Sequence, residues 1–106
     1  MRLRYKFATQ KVGACFVAVA IEEDALKYSE ILRMNSAGAF ILEQLKDEID
    51  YAVLTERMLD KYDTNQETAQ KILMDFLSML AEKELLVDAN GNLIKESALR
   101  EAVYFF

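Results

Sequence analysis

Residues able to do chemistry are few in this 106-residue chain, and their types argue against catalysis. There is no histidine, which removes the commonest general base and the commonest metal ligand. The single cysteine, Cys15, has no histidine to activate its thiol, and we predict a small core residue within a strand. One cysteine allows no intrachain disulfide, which fits a reducing, cytoplasmic location. We therefore expect a protein that is not an enzyme.

Carboxylates occur in pairs, but their positions favour solvated connections over a catalytic or metal site. Glu22 and Asp24 lie in one charged connection, and Asp47 and Asp50 lie in another. Residues 88–92 faintly resemble a calcium loop, yet they lack the full ligand spacing and the closing glutamate. Zinc ligands are too few, and no glycine-rich phosphate loop is present. We predict no metal and no cofactor.

The charge balance argues against bulk attraction to nucleic acid or to anionic membranes. The net charge is -5, from 13 Lys and Arg against 18 Asp and Glu. Residues 1–6 form one short basic patch. Residues 12–21 form an apolar run that is too short to span a bilayer. We predict neither a nucleic-acid nor a membrane partner.

The N-terminal third of the chain predicts three strands of one sheet. Residues 3–8 alternate loosely and indicate a first strand, and residues 9–11 indicate a turn. Residues 12–21 predict a second strand that is apolar on both faces, which is typical of a central strand. Residues 28–34 predict a third strand, antiparallel to the second in a hairpin.

The third predicted strand runs into a helix with almost no linker. The helical period begins at Ala37, and either Asn35 or Ser36 stands where a helix N-cap is wanted. The first helix is predicted over residues 36–46. Gly38 in its first turn costs about 1 kcal/mol relative to alanine, so we expect another part of the chain to approach the backbone closely there.

Two further amphipathic helices follow. Asp50 is a candidate cap for the second, and Thr64 with Glu67 has the form of a capping box for the third. The predicted core face of the third helix consists of Ala69, Ile72, Leu73, Phe76, Leu77 and Leu80. Met74 lies outside that face and is expected to be partly exposed; it is either a solvent-facing methionine or part of an adaptable binding surface.

The C-terminal segment completes an α+β pattern. Asn90 followed by Gly91 is the strongest short-range hairpin signal in the chain, and residues 96–106 predict a last helix with an apolar end at 103–106. Three helices followed by a hairpin is the order of a winged helix-turn-helix. We therefore predict an N-terminal three-stranded antiparallel sheet packed on a three-helix winged helix-turn-helix, with a short C-terminal hairpin and helix.

A winged helix raises the alternative of DNA binding or a transcriptional interaction. Its recognition helix would be the third, which carries Lys71 and Lys83 but no arginine. That helix also carries three carboxylates, so its balance is negative, whereas DNA readers concentrate basic residues there. The helix composition argues against DNA binding without excluding it.

The order of these segments resembles the PqqD family of small peptide-recognition domains, also called RiPP recognition elements. The resemblance covers about residues 4 to 87, and it rests on spacing and residue class. It is carried by Met34-Asn35, Ala37-Gly38-Ala39, Ile41-Leu42, Leu45, Leu59-Asp60-Lys61-Tyr62-Asp63, Asp75-Phe76-Leu77-Ser78-Met79-Leu80 and Leu85-Leu86. The sequence departs from the family at Glu84, where a glycine commonly ends the third helix, and at Leu42, where a large aromatic residue is usual.

The resemblance implies a recognition domain over residues 1–87, with residues 88–106 as an extension packed on the same body. It implies a peptide chaperone without catalysis, which binds the leader segment of a ribosomally made precursor and presents it to a modifying enzyme, often a radical SAM enzyme. The leader would add as a strand along the third strand, beside the third helix. The implied peptide-binding residues are Ser29, Glu30, Ile31, Leu32, Arg33, Lys71, Met74, Asp75 and Ser78.

A third hypothesis is an interaction subunit whose sheet edge pairs with another copy or with its own apolar tail. The chain is expected to be a monomer or a homodimer. The sequence does not identify the peptide, the modifying enzyme or the product, and pyrroloquinoline quinone is one possible product.

Overall fold

The structure is a computed structural model that describes residues 1–99. Its elements, in order, are β1 (Arg2–Leu3), β2 (Phe7–Val12), β3 (Cys15–Ala20), β4 (Leu32–Met34), α1 (Ser36–Gln44), α2 (Tyr51–Lys61), α3 (Gln66–Glu82) and β5 (Leu86–Val87). A 3-10 turn at Glu22–Leu26 joins β3 to β4. The predicted α+β class is confirmed, whereas the winged helix-turn-helix arrangement stays a prediction.

The main sheet is antiparallel, with the strand order β2-β3-β4. The prediction that residues 12–21 form the central strand is confirmed for β3. The predicted first strand, residues 3–8, is wrong for residues 4–6, which separate β1 from β2. The predicted turn at residues 9–11 is wrong, because those residues belong to β2, which pairs with β3 from Phe7↔Ala20 to Val12↔Cys15. The chain turns instead at residues 13–14, where Gly13 adopts a φ of 63° that suits the first central position of a tight hairpin.

A second, smaller sheet consists of two strands. β1 pairs with β5, and Val87 forms an antiparallel bridge with Leu93. The predicted hairpin at Asn90-Gly91 is confirmed: Gly91 has a φ of 84°, and the Asp88 carboxylate accepts hydrogen bonds from the backbone N–H groups of Asn90 and Asn92 at 2.9 and 3.0 Å.

The C-terminal helix is described only at its start. Residues 96–99 are helical, and Leu99 is 6 % exposed within the hydrophobic core. The remainder of the predicted helix, with the apolar end at 103–106, lies outside the described residues.

The helices cover one face of the main sheet, and this determines which strand residues are buried. Ala18 and Ala20 point to the core, where α1 packs on β3. Cys15 lies on the opposite face and is exposed, so the prediction of a core cysteine is wrong. The sequence pattern misled because both faces of β3 are apolar although only one is covered.

Asparagine side chains cap the N-termini of two helices, α1 and α3. Asn35 caps α1, with its side-chain oxygen 2.9 Å from the Gly38 N–H, and this confirms one of the two expected caps. Asn65 caps α3 by accepting from the Thr68 N–H at 2.8 Å, so the predicted capping box at Thr64 is wrong by one residue. Asp50 occupies the N-cap position of α2 without a side-chain capping hydrogen bond.

Glu84 ends α3 in a left-handed conformation, with a φ of 58°. The Leu85 N–H donates to the Leu80 carbonyl at 2.9 Å, and the Glu84 N–H donates to the Ala81 carbonyl at 3.0 Å. This is the C-terminal arrangement in which glycine is usual. The resemblance therefore located the turn correctly, although a glutamate forms it here.

Candidate functional site

A groove of about 380 Å³ lies between β4 and α3. Its walls are the β4–α1 junction and one flank of α3, and α1 contributes Gly38 and Ile41. Its lining is mostly apolar. The lining residues are Arg33, Met34, Asn35, Gly38, Ile41, Ile72, Asp75, Phe76 and Met79.

The β4 wall presents an open backbone edge at Arg33. The Ile21 N–H donates to the Lys6 carbonyl at 2.9 Å, so the odd-numbered residues of β3 direct their backbone groups toward β2. In an antiparallel sheet these directions alternate along the strand, so Ala18 and Phe16 bond to their partners Leu32 and Met34 in β4. The N–H and C=O of Arg33 therefore face outward, and within residues 1–99 β4 is an edge of the sheet.

Close packing at Gly38 fixes the inner end of the groove. A methyl group on Gly38 would lie 2.8 Å from Phe76 Cε1 and 3.0 Å from Met34 Cβ. Both distances are shorter than ordinary carbon contacts. The expected close approach at Gly38 is confirmed, and it is made by the α3 side chain that forms part of the groove wall.

The five sequence-predicted residues before and within β4 fall into two groups. Leu32 and Arg33 belong to β4, with Leu32 buried at 2 % exposure and Arg33 exposed. Ser29, Glu30 and Ile31 lie before the strand, so the predicted strand over residues 28–34 is wrong for residues 28–31. Ile31 is 58 % exposed, an apolar side chain immediately before the open edge.

The early end of the predicted strand is held by side chains and not by sheet pairing. Tyr28 packs edge-on against Phe7, with ring centroids 5.8 Å apart. The Tyr28 hydroxyl donates to the Glu30 carboxylate at 2.8 Å, and the Lys83 ammonium at the end of α3 donates to the same carboxylate at 3.3 Å. Glu30 thus ties the segment before β4 to α3.

These contacts shift two ionisation equilibria. Burial, followed by the hydrogen bond to Glu30 and the repulsion by its charge, raises the pKa of Tyr28 to about 12. The hydrogen bond from Tyr28, followed by the hydrogen bond and charge of Lys83, lowers the pKa of the Glu30 carboxyl. Glu30 is therefore ionised and paired within the chain at neutral pH.

One of the four sequence-predicted residues of α3 lies in the groove. Asp75 lines the groove, whereas Lys71, Met74 and Ser78 do not. Met74 is half-buried, as expected, and its sulfur lies 3.5 Å from the Ser78 hydroxyl oxygen. The peptide-binding role of all four residues stays a prediction.

On α3, the groove residues that sequence reasoning missed are Ile72, Phe76 and Met79. The apolar period of α3 assigned the first two to the core, and in the structure all three are partly buried. A helical wheel defines the core-facing side, but only the placement of β4 shows which flank borders the sheet edge.

Neither a metal-binding cluster nor a membrane-spanning helix is found among residues 1–99. No group of three His, Cys, Asp or Glu side chains in residues 1–99 is placed to hold a metal ion. No helix in the same range is long and apolar enough to cross a membrane.

Comparisons with known proteins identify the family. Residues 15–86 match the family model described as Coenzyme PQQ synthesis protein D (PqqD). No curated protein and no solved structure matches the chain. The matched segment begins at β3 and ends in β5, and it contains the whole groove. The chain belongs to the PqqD family.

Proposed function

We propose that the protein binds an extended peptide by strand addition to the open edge of β4. The peptide is the leader segment of a ribosomally made precursor, which the protein presents to a modifying enzyme. The observation that carries this proposal is the outward-facing backbone of Arg33 beside an apolar groove. Membership of a family named for coenzyme PQQ synthesis supports an accessory role in a biosynthetic pathway of that kind.

Strand addition suits this groove because affinity and selectivity come from different groups. The Arg33 N–H and C=O supply backbone hydrogen bonds to any extended chain. Alternate peptide side chains then enter the groove against Ile72, Phe76 and Met79, where apolar surface is removed from water. A volume of about 380 Å³ lies within the range usual for ligand sites.

Charged residues at the groove mark its two walls. Arg33 stands on the sheet edge and Asp75 stands on α3, so a bound strand passes between charges of opposite sign. Glu30 is held by Tyr28 and Lys83, and it acts in this proposal by positioning the segment before β4. Ser29, Ile31 and Leu32 complete the proposed edge, with Ile31 exposed to meet the peptide.

The protein makes and breaks no covalent bond in this proposal. The chemistry belongs to the enzyme that receives the peptide, and a radical SAM enzyme is the partner class that the family resemblance implies. A cytoplasmic location fits a chain whose single cysteine, Cys15, is exposed and unpaired with any other cysteine.

The test uses a synthetic peptide with the sequence of a precursor's leader segment, with affinity measured by calorimetry. Arg33→Pro removes one outward N–H and leaves the pairing of Leu32 and Met34 with β3 in place, since proline is tolerated at a strand edge. Loss of one backbone hydrogen bond is expected to weaken binding about 5- to 10-fold.

Arg33→Gln is the matched control, because it removes the same charge and keeps the N–H. Its affinity is expected to lie well above that of Arg33→Pro, and the thermal unfolding of both variants is measured alongside. Backbone amide shifts in NMR are expected at Arg33 and along Ile72 to Met79. Equal affinity of the two variants, or shifts confined to other elements, would exclude strand addition at this edge.

Duplex DNA at low salt is the control for the winged-helix alternative. Salt-dependent binding tighter than that of the leader peptide would favour that alternative over peptide recognition.

A further inference from the structure

A second groove, of about 590 Å³, lies at the opposite edge of the main sheet. It shares no lining residue with the groove beside β4. Four basic side chains line it: Arg2, Arg4, Lys6 and Lys46. No aspartate or glutamate belongs to its lining within the described part of the chain. This concentration of positive charge contrasts with the net charge of -5 for the whole protein.

The β2 edge beside this groove also has an open backbone. The hydrogen bond between Ile21 and Lys6 sets the alternation, so Ala8 and Gln10 bond to β3 while Phe7 and Thr9 direct their N–H and C=O groups outward. Phe7 and Thr9 both line the groove. In residues 1–99 no strand pairs with this edge.

All four basic side chains form ion pairs with exposed carboxylates at the rim, and Arg2 lies 3.6 Å from Glu48. The Lys46 ammonium lies 2.9 Å from Glu43, the Lys6 ammonium lies 3.1 Å from Glu22, and the Arg4 guanidinium lies 3.9 Å from Glu84. Arg2 also donates to the Asp88 carbonyl at 2.7 Å. Exposed pairs of this kind contribute little to stability, so a carboxylate from another molecule can replace the rim partner at small cost.

We infer that this groove binds an extended acidic peptide segment of a protein partner, which adds as a strand along β2. The backbone of Phe7 and Thr9 supplies the ladder, and carboxylates at alternate positions of the segment meet Arg4 and Lys46. A peptide is favoured over nucleic acid because the outward N–H and C=O groups of Phe7 and Thr9 can pair with an extended peptide backbone, which a nucleic acid does not provide.

This surface is separate from the proposed leader site and does not depend on it. β2 and β4 are the two outer strands of one sheet, so strands added at both edges would not contact each other. The protein thereby has one apolar groove and one basic groove, which allows two different extended segments to be held on a single sheet.

The test uses the full chain and a fluorescent synthetic peptide in which glutamate and threonine alternate. Its affinity is measured by anisotropy at two salt concentrations. Arg4→Gln and Lys46→Gln are each expected to weaken binding about 2- to 5-fold, and added salt is expected to weaken it further. Lys95→Gln makes the same charge change on an exposed residue outside both grooves and is expected to leave the affinity unchanged.

Replacing a rim carboxylate is expected to change the peptide affinity in the opposite direction. Glu43→Gln removes the intramolecular partner of Lys46 and leaves every positive charge of the groove in place. It is therefore expected to tighten binding of the acidic peptide. In NMR the peptide is expected to shift the amides of Phe7 and Thr9 and not that of Arg33.

Three outcomes would overturn the inference. They are equal weakening by Lys95→Gln, peptide-induced shifts confined to β4 and α3, and tighter binding of a single-stranded DNA oligonucleotide than of the acidic peptide. Thermal unfolding of each variant, measured without peptide, separates loss of binding from loss of fold.

Discussion

Replacing Gly38 with alanine tests whether close packing at the start of α1 shapes the groove. The added methyl group would lie 2.8 Å from Phe76 Cε1 and 3.0 Å from Met34 Cβ. The Phe76 ring is partly buried and can turn toward the groove, whereas Met34 Cβ is fixed by the backbone of β4. Relief of the contact therefore requires movement at the groove wall.

Two opposing effects determine the expected change in the free energy of unfolding. Alanine in place of glycine favours a helix by about 1 kcal/mol. Overpacking of a well-filled core costs about 1 to 3 kcal/mol. Since both contacts are at or below 3.0 Å and one of them involves a rigid atom, we place the cost near the middle of its range. Gly38→Ala is expected to lower the free energy of unfolding by about 1 kcal/mol.

Urea denaturation measures this change, and Ala52→Gly provides the matched control. Ala52 is exposed in the first turn of α2, so its replacement reports helix propensity without packing and is expected to cost about 1 kcal/mol. If Gly38→Ala raised the free energy of unfolding by about as much as Ala52→Gly lowers it, the packing argument would be refuted. A rotated Phe76 ring is also expected to narrow the groove and weaken binding of the leader peptide.

Three further predictions concern caps and ionisation. Glu84→Gly is expected to raise the free energy of unfolding by about 1 kcal/mol, because glycine adopts the left-handed φ of 58° without strain; Glu84→Ala, which keeps the strain, is expected to give no gain. Asn65→Ala is expected to cost about 1 kcal/mol in thermal unfolding, and Thr64→Ala less than about 0.5 kcal/mol; the reverse order would restore Thr64 as the cap. Tyr28 is expected to ionise near pH 12 in a spectrophotometric titration, and Glu30→Gln to lower that pKa toward 10. Because the folded-state pKa of Tyr28 lies above its unfolded value, its contribution to stability is complete below about pH 10 and is lost as the pH rises to about 12; a Tyr28 that titrates near 10 in the native protein would contradict the contacts described.

Local signals in the sequence were sufficient for the region from β4 into α1. The helical period placed the start of α1, Asn35 was confirmed as one of the two expected caps, and the close approach expected at Gly38 was confirmed as well. The hairpin at Asn90-Gly91 was equally readable, because a tight turn needs residues that tolerate a positive φ. These features depend on a few neighbouring residues.

Features that depend on contacts with distant parts of the chain could not be predicted from local sequence signals. The N-terminal strands were misassigned because the polar residues 9–11 have the composition of a turn although they lie on an edge strand, and only pairing with β5 separates β1 from β2. Gly13 was the available signal for the true turn. For the candidate site, the edge at Arg33 was predicted, but the flank of α3 that faces it was not, because a helical pattern does not show which neighbour lies beside it.

The direct joining of β4 to α1 has a consequence for how the groove would select among peptides. Only Asn35 separates the last residue of β4 from the first residue of α1, and Leu32 and Met34 are both buried, so the strand has no freedom to slide by one position. A peptide strand docked along β4 would therefore pair with it in one fixed register. Inserting a single residue between two anchoring side chains of the peptide would send one of them to the wrong side, whereas inserting two would restore the alternation. If the proposed strand addition holds, the groove would select peptides by the spacing of their anchoring side chains as well as by composition.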